Sequence, residues 1–157
     1  MNATLRSATA SDAPCIANLL IDTRSMFMPY APSAHTEEEV RAWVACHLVP
    51  TGGVVVAEAN GRVVAAVATA TEGKTSWVSQ MAVDPPLVNQ GLGSVLLAHV
   101  LQTLAPPICL YTFRANFGAR RFYERHGFVA VEFTDGQANE EHCPDVRYEY
   151  RGPRAEA

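Results

Sequence analysis

Two glycines in a short turn form the chain's clearest candidate ligand site. Gly91 and Gly93 lie between a strand-like apolar run that ends at Val83 and a helical stripe that begins at Leu92. The first turn of a helix has backbone N–H groups without partners in the helix, and glycines let an anion approach them closely. The spacing predicts a site for a phosphate or pyrophosphate. The alternative is that both glycines only allow the turn to pack tightly.

Two common phosphate-binding motifs do not fit this segment. The dinucleotide fingerprint requires a third glycine where Leu96 stands, and the P-loop requires a Lys-Ser or Lys-Thr pair that is missing after Gly93. The Gly-Lys-Thr triplet at 73–75 lies between two strand-like runs instead of opening a helix. We interpret it as a hairpin turn.

A second segment of chemical interest is the predicted helix at 116–126. One face carries Ala119, Phe122 and Tyr123, and Gly127 follows as a left-handed cap. Taken alone, Tyr123 is an aromatic residue on the buried face of this helix, beside Phe122.

Together, these two segments resemble the GCN5-related N-acetyltransferase (GNAT) superfamily. In that superfamily the acetyl-CoA site joins a Q/R-x-x-G-x-G/A loop to a helix with the pattern N-x-x-A-x-x-x-Y-E-x-x-G-F. The helix pattern is matched here at Asn116, Ala119, Tyr123, Glu124, Gly127 and Phe128. The motif matches span 78–128, and the predicted order of elements over 5–150 is compatible with the same family.

The resemblance implies an acetyl-CoA site with a role for each matched position. It implies that the CoA pyrophosphate is held by the N–H groups of Gln90, Gly91, Leu92, Gly93 and Ser94. It also implies that the pantetheine arm pairs with the backbone of a splayed strand at Met81, Ala82 and Val83. Asn116 is expected to hydrogen-bond that arm, and Tyr123 to lie near the sulfur and protonate the departing thiolate.

The sequence departs from the family pattern in two places. Val88 and Asn89 replace the usual Gln/Arg of the loop and the glycine after it, which leaves CoA binding mainly to backbone donors. On the strand before the loop, many relatives place a glutamate as general base. This chain has Ser79 and Gln80 there, and neither side chain can deprotonate an ammonium.

A base that acts through water is therefore expected at the acceptor end, unless the amine arrives neutral. The candidates are His35, which precedes the second predicted helix, and Glu141, which lies in an acidic loop. His35 titrates near neutrality by default, whereas Glu141 needs its pKa raised by burial. His35 could equally be a loop residue that only precedes the Thr36 helix cap.

Charged residues gather at two places near these elements. Four arginines surround the helix at 116–126: Arg114, Arg120, Arg121 and Arg125. They either anchor the 3′-phosphate of CoA or belong to a solvated face of the helix. The loop at 134–145, which borders the acceptor in this family, either attracts a cationic amine or is simply solvated. Its acidic residues are Asp135, Glu140, Glu141 and Asp145.

The elements that must position these residues are strands and helices in mixed order. Periodicity and turn signals predict strands at 5–8, 54–59, 62–70, 75–83, 108–112, 128–133 and 146–150. Helices are predicted after an N-cap at Ser11, after the Thr36 and Glu39 capping box, from Leu92 towards Pro106, and over 116–126. These elements predict a single α/β domain over 1–151 and a flexible tail at 152–157, and the resemblance implies that the domain is of the GNAT type. The expected sheet is mixed and mostly antiparallel, flanked by helices on both faces.

Composition limits the partners. The 157 residues carry a net charge of -4 and a single lysine, Lys74, which argues against nucleic acid. The apolar runs fall far short of the ~20 residues that cross a bilayer, and the N-terminus has no apolar signal core. We therefore expect a cytoplasmic protein that does not associate with membranes. Four dispersed cysteines form no zinc motif, so no metal site is predicted.

The resulting hypothesis is an N-acetyltransferase that moves acetyl from acetyl-CoA to an amine of a small molecule or peptide. The amine attacks directly and forms a tetrahedral intermediate, with the Met81 N–H as a candidate oxyanion donor. A catalytically silent acetyl-CoA-binding or sensing module is the alternative, because no carboxylate precedes the glycine loop. A phosphate-ligand binder unrelated to CoA is a third reading. Homodimers are common in families of this type, and one is an option here.

Overall fold

The predicted strands form one mixed sheet. A computed structural model describes residues 2–153. Its strands are β1 (Thr4–Ser7), β2 (Val54–Ala59), β3 (Arg62–Glu72), β4 (Thr75–Val83), β5 (Ile108–Phe113), β6 (Val129–Phe133) and β7 (Asp145–Tyr150). They lie in the order β1-β2-β3-β4-β5-β7-β6. Every neighbouring pair is antiparallel except β4 and β5, which are parallel. This confirms the predicted mixed, mostly antiparallel sheet.

Helices cover both faces of this sheet. They are α1 (Ala13–Phe27), α2 (Glu37–Trp43), α3 (Val49–Thr51), α4 (Leu92–Thr103) and α5 (Phe117–Arg125), with a π-helical turn (Val44–Leu48) between α2 and α3. On one face Leu96 and Tyr123 share a buried cluster with strand residues such as Val67. On the other face Ile16 and Val44 pack against Val56 and Ala66. Since residues that alternate along a strand point to opposite faces, each central strand supplies both clusters.

The parallel pair β4 and β5 determines where a ligand can enter. Their described ladder consists of two residue pairs, Ser76 with Ile108 and Trp77 with Cys109. Both strands continue beyond this point without further pairing, β4 to Val83 and β5 to Phe113. The gap between them lies in the middle of the sheet, so polar backbone groups face an open space there.

A bulge in β4 lies at the start of this gap. Ala68 of β3 pairs with Gln80 and Thr69 pairs with Val78, which leaves Ser79 as an extra residue on β4. The Ser79 hydroxyl donates to the Ala68 carbonyl at 3.2 Å. This hydrogen bond engages the side chain of Ser79, which is one of the two polar residues at the strand position where many relatives have a glutamate.

Most predicted boundaries are confirmed, and one cap is wrong. Thr36 and Glu39 form the predicted capping box, in which Thr36 Oγ1 accepts from the Glu39 N–H at 3.1 Å. The expected cap at Ser11 is not formed. A 3-10 turn (Ala10–Asp12) precedes α1, and the Thr9 N–H donates to Asp12 Oδ2 at 2.7 Å. Arg6 also binds the Asp12 carboxylate, and this contact fixes Asp12 at the start of the helix.

The last described strand, β7, ends at Tyr150, and the domain boundary near residue 151 stays a prediction. Most of the predicted tail, 154–157, lies outside the described residues. None of the described helices has the length and apolar character needed to cross a membrane.

Candidate active site

The diverging strands open into a cleft of about 1110 Å³. Its walls come from β4 and β5, the glycine loop, α5, the end of α1 and the loop between β6 and β7. Nearly all predicted CoA contacts line this cleft: Met81, Ala82, Val83, Gly91, Leu92, Gly93, Ser94, Asn116 and Tyr123. Gln90 is exposed and is not among the residues that line it.

The glycine loop leaves unpaired donors at the start of α4. Gly91 is the N-cap, in the left-handed region with φ of 90°, and a Cβ there would meet no atom within 4 Å. The first helical bond runs from the Val95 N–H to the Gly91 carbonyl at 3.0 Å. The N–H groups of Leu92, Gly93 and Ser94 therefore precede the hydrogen-bond ladder of the helix and remain available to an anion.

Gly93 has a different role from Gly91. A Cβ at Gly93 would lie 3.2 Å from Cζ of Phe122 on α5, which is closer than ordinary contact. Close packing is therefore the reason for Gly93, whereas Gly91 combines open space with a backbone conformation that favours glycine. The packing interpretation of the glycine pair fits Gly93, and the anion-site interpretation stays a prediction that the open surroundings of Gly91 allow.

The edge of β4 presents backbone groups to the gap. The Asp84 N–H donates to the Val64 carbonyl of β3 at 2.9 Å. Because hydrogen-bonding direction alternates along an antiparallel strand, Ala82 also faces β3, while Met81 and Val83 face the opposite side. The hydroxyl of Thr23 lies 3.5 Å from the Val83 carbonyl, in agreement with this orientation. Met81 and Val83 can thus pair with an extended ligand.

Asn116 and Tyr123 bring side chains of α5 to the cleft. Asn116 is the N-cap of the helix, and its Oδ1 accepts from the Ala119 N–H at 3.2 Å, which leaves its amide nitrogen for a ligand. Tyr123 is 9% exposed, with its hydroxyl 3.8 Å from the Met81 sulfur. Burial raises the pKa of Tyr123 to about 12, so the phenol stays protonated at neutral pH.

The opposite end of the cleft is formed by α1 and the loop between β6 and β7. Arg24 on α1 donates from Nη1 to Glu141 Oε1 and to the Ala31 carbonyl, each at 3.0 Å. The Arg24 guanidinium also lies over the Phe113 ring, 5.5 Å from its centroid. This contact joins two segments 117 residues apart across the mouth of the cleft.

Sequence comparison identifies the architecture. The model of the acetyltransferase (GNAT) family matches residues 20–128. The chain belongs to the GNAT family. As a GNAT acetyltransferase it uses acetyl-CoA as cosubstrate, and the unpaired N–H groups at Leu92, Gly93 and Ser94 suit a pyrophosphate. No curated protein matches this sequence.

Solved structures of GNAT acetyltransferases share the fold over nearly the whole chain. A GNAT acetyltransferase from Bacillus cereus is 15% identical and has a TM-score of 0.74, with 98% of this chain and 100% of that chain covered. PaiA N-acetyltransferase from Thermoplasma acidophilum, solved in complex with coenzyme A, is 15% identical with a TM-score of 0.73 and coverage of 96% and 99%. The ribosomal-protein-S18-alanine N-acetyltransferase from Escherichia coli is 21% identical with a TM-score of 0.70 and coverage of 99% and 97%.

The two predicted bases of this acetyltransferase lie in different surroundings. Glu141 lines the cleft but is engaged by Arg24. His35 does not line it. Its ring is about half exposed, with Nε2 2.8 Å from Glu140 Oε2 and Nδ1 3.7 Å from Glu39 Oε2. The hydrogen bond with Glu140 raises the pKa of His35, so at any given pH a larger fraction of the imidazole already carries its proton.

The four arginines also divide into two pairs. Arg121 and Arg125 line the GNAT cleft. Arg114 and Arg120 line a separate cavity of about 370 Å³ and stack over the exposed ring of Phe133 at 5.4 and 5.6 Å. The first pair can add positive charge at the CoA end. The second pair is held by aromatic packing on another surface.

Sequence reasoning missed one residue of the cleft, Arg24, and did not single out another, Asp145, from its acidic neighbours. Arg24 lies on α1 with no local motif, and its role depends on a partner 117 residues away. Asp145 was one of four acidic loop residues in the sequence, but in the structure it is buried and lines the cleft. A carboxylate at the first position of a strand was the available signal, yet the sequence does not show which face of the sheet it occupies.

Proposed function

We propose that the protein transfers acetyl from acetyl-CoA directly to an amine of a small molecule or peptide. The observation that carries this proposal is a convergence on one cleft. Unpaired N–H groups at the start of α4, the free backbone edge of β4 at Met81, and the buried hydroxyl of Tyr123 all border the gap between β4 and β5. This set can bind a phosphorylated carrier, align its arm and support a departing sulfur.

Binding of acetyl-CoA would rely mainly on backbone groups. The N–H groups of 91–94 would hold the pyrophosphate, with Arg121 and Arg125 adding positive charge. Met81 and Val83 would pair with the amides of the pantetheine arm, which would thus extend β4 as an added strand. The Asn116 amide nitrogen would donate to the same arm.

In the transfer step, the amine nitrogen bonds to the thioester carbon and the carbon–sulfur bond then breaks. The Met81 N–H is the candidate donor to the oxyanion of the tetrahedral intermediate. Tyr123 would donate a hydrogen bond to the departing sulfur. Because the pKa of Tyr123 is about 12, above the ~8.5 of an ordinary thiol, the proton stays largely on the phenol. The tyrosine therefore stabilises the thiolate as a donor.

No protein nucleophile is needed for this reaction. Cys109 is buried in β5, and burial raises the pKa of its thiol, which disfavours the reactive thiolate. The amine proton would leave through water. Of the two predicted bases, Glu141 lines the cleft and His35 does not. Because Arg24 binds Oε1 of Glu141, we assign the relay to Oε2.

The proposal is tested by incubating the protein with acetyl-CoA and a pooled amine library, following thiol release and product mass. Thiol release together with an amine product heavier by one acetyl group is the expected result. A silent binding module would bind acetyl-CoA without releasing thiol in any pool. The Tyr123→Phe variant, run in parallel, separates enzymatic transfer from spontaneous acetylation, because spontaneous transfer would be unaffected.

A further inference from the structure

Asp145 is a buried carboxylate without a cationic partner. It is 8% exposed, and within the described residues no Lys, Arg or His nitrogen lies at salt-bridge distance from it. The other buried carboxylate, Asp12, is bound by Arg6 at 2.8 Å, and this hydrogen bond lowers the pKa of Asp12 to about 2. A buried charge is costly unless it is paired, so Asp145 lacks the compensation that Asp12 has.

The neighbouring carboxylates of the cleft do have arginine partners. Glu141 is bound by Arg24 at 3.0 Å, and Glu132 lies 3.5 Å from Arg147. Both pairs are close to neutral overall, because each carboxylate is matched by one guanidinium. The negative charge that remains at this end of the cleft is therefore that of Asp145.

Neutral donors hold the Asp145 carboxylate in place. The Thr134 hydroxyl donates to Oδ1, and Asn139 Nδ2 donates to Oδ2 at 3.1 Å. Asn139 is itself fixed, since its amide binds both the carbonyl and the N–H of Cys143, at 2.6 and 3.1 Å. Each carboxylate oxygen can accept two hydrogen bonds and these contacts fill one on each, so one acceptor site on each oxygen remains for a ligand. The site is ordered before any ligand binds.

The position of Asp145 points to the acceptor side of the sheet. Val146 and Tyr148 face the core beside α5, so the alternation of β7 directs Asp145 to the opposite face, which α1 covers. There it pairs in register with Phe113, the ring that also lies under Arg24. Asp145 thus belongs to the end of the cleft away from the glycine loop.

The distance from Met81 decides which acceptor group Asp145 can reach. Strand register puts Met81 and Phe113 at similar levels, four residues beyond the paired Trp77 and Cys109. Asp145 lies a further strand away, so at ~4.8 Å per strand its backbone is at least about 10 Å from β4. An attacking nitrogen must sit about 3 to 3.5 Å from the thioester carbon held beside β4. The Asp145 carboxylate is therefore placed to bind a group of the acceptor that is distant from the reacting amine.

We propose that Asp145 binds a second, positively charged group of the acceptor, distinct from the amine that is acetylated. The preferred acceptors are then diamines and other amines that carry a separate cationic group. The bound cation provides the counter-charge that the carboxylate lacks and orients the free amine towards the thioester. This inference rests on the proposed function for the position of the thioester, while the binding site itself does not require turnover.

Calorimetric titration of the CoA-saturated protein tests this assignment. The probes are linear diamines of three to eight carbons, each matched with the amino alcohol of equal length, and 6-aminohexanoate. We expect at least one diamine to bind about tenfold or more tightly than its matched amino alcohol, and 6-aminohexanoate to bind weakest. Equal affinities within every matched pair would overturn the proposal.

Asp145→Asn, with Asp135→Asn as control, assigns the effect to one residue. Both variants remove one negative charge from the same loop, but Asp135 is exposed and does not line the cleft. Asp145→Asn should erase the diamine preference with unchanged CoA affinity, whereas Asp135→Asn should keep it. A preference that survives in Asp145→Asn refutes the proposal. If Asp145→Asn no longer binds CoA, Asp145→Ser takes its place under the same criterion.

The titration separates this inference from the proposed function. If diamines bind through Asp145 but no thiol is released from acetyl-CoA, acetyl transfer fails and the cation site stands. If thiol is released with simple monoamines and the matched diamines have no advantage in binding, transfer stands and the role of Asp145 is refuted.

Discussion

The two ends of the cleft are built in different ways. The CoA end is made largely of backbone groups from two compact segments, the strand and loop at 81–94 and the start of α5. The acceptor end is made of side chains brought together from distant parts of the chain, such as Arg24 and Glu141. Backbone N–H donors can bind any ligand that places a phosphate or pyrophosphate at the glycine loop. The side chains of the acceptor end are what can distinguish one amine from another.

The two ends of the cleft also differ in charge. The CoA end combines unpaired N–H groups with Arg121 and Arg125, which suits an anionic carrier. At the acceptor end two arginines are engaged by glutamates, and the unmatched charge is the carboxylate of Asp145. This arrangement supports the proposal of an anion-binding end and a cation-binding end within one gap of the sheet.

Removal of the Tyr123 hydroxyl should have the largest effect, because that group serves the reacting centre between the two ends. Tyr123→Phe should lower kcat by about 10² to 10³ without changing CoA affinity, since only the hydrogen-bond donor to the departing sulfur is lost. Steady-state kinetics and CoA titration measure the two effects. Unchanged kcat, with chemistry shown to limit the rate, would make Tyr123 a packing residue.

A charge at Gly91 should disable the CoA end selectively. At free CoA of 100 times Kd, wild-type protein should gain roughly 2.7 kcal/mol of stability, seen as a higher Tm. Gly91→Asp should lose this gain, because the carboxylate would enter the space meant for a phosphate. Gly52→Asp is a matched control, since Gly52 has φ of 88°, similarly open surroundings and no place in the cleft. A CoA-induced shift that survives in Gly91→Asp would place the pyrophosphate elsewhere.

The proton relay at the acceptor end should depend on Glu141 and not on His35. Glu141→Gln should lower kcat by about 10², the low end for general base catalysis, with CoA affinity retained. His35→Gln should leave kcat unchanged, because His35 does not line the cleft. The two variants are compared by steady-state kinetics with a common acceptor. The reverse order of effects would contradict this assignment.

The smallest expected effect is a pH dependence of stability at the outer contact of the same loop. Glu140 raises the folded-state pKa of His35, so this ion pair stabilises the protein fully below the unfolded value of ~6.5 and is lost as pH rises through the raised value. Denaturant unfolding of wild type and His35→Gln should differ slightly at pH 5.5 and agree at pH 8.5. An equal difference at both pH values would show that protonation is not involved.

The division of the cleft also explains what could be predicted from the sequence. The glycine loop and the helix that carries Asn116 and Tyr123 follow from local spacing, and the structure brings these residues to one cleft. The roles of Asn116 and Tyr123 came from the family resemblance. Strand β4 was predicted with its observed ends, because Asp84 and two prolines end it sharply. The bulge at Ser79 was not predicted, since it depends on pairing with β3. Such non-local contacts are not encoded in any short pattern.

The same limit applies to charged side chains. Ser11 was predicted as a helix cap from its local sequence, but Asp12 takes part in the turn because Arg6 holds its carboxylate. His35 was expected at the acceptor mouth; its ring contacts Glu140 of the acidic loop, 105 residues away, and does not line the cleft. In each case an ion pair outside the local pattern is involved, and for Asp12 its partner lies six residues away. The location of backbone donors followed from the sequence, and the partners of ionised groups did not.

Backbone amide NMR during sequential titration tests the two-ended cleft most directly. CoA added to the protein should shift the amides of Met81, Val83 and residues 91–94, and leave Asn139 and Asp145 nearly unchanged. 1,6-Diaminohexane added to the CoA-bound protein should then shift Thr134, Asn139 and Asp145, with little further change at 91–94. If CoA shifts the loop at 134–145 as strongly as the glycine loop, or leaves the glycine loop unmoved, the account of separate backbone and side-chain ends is contradicted.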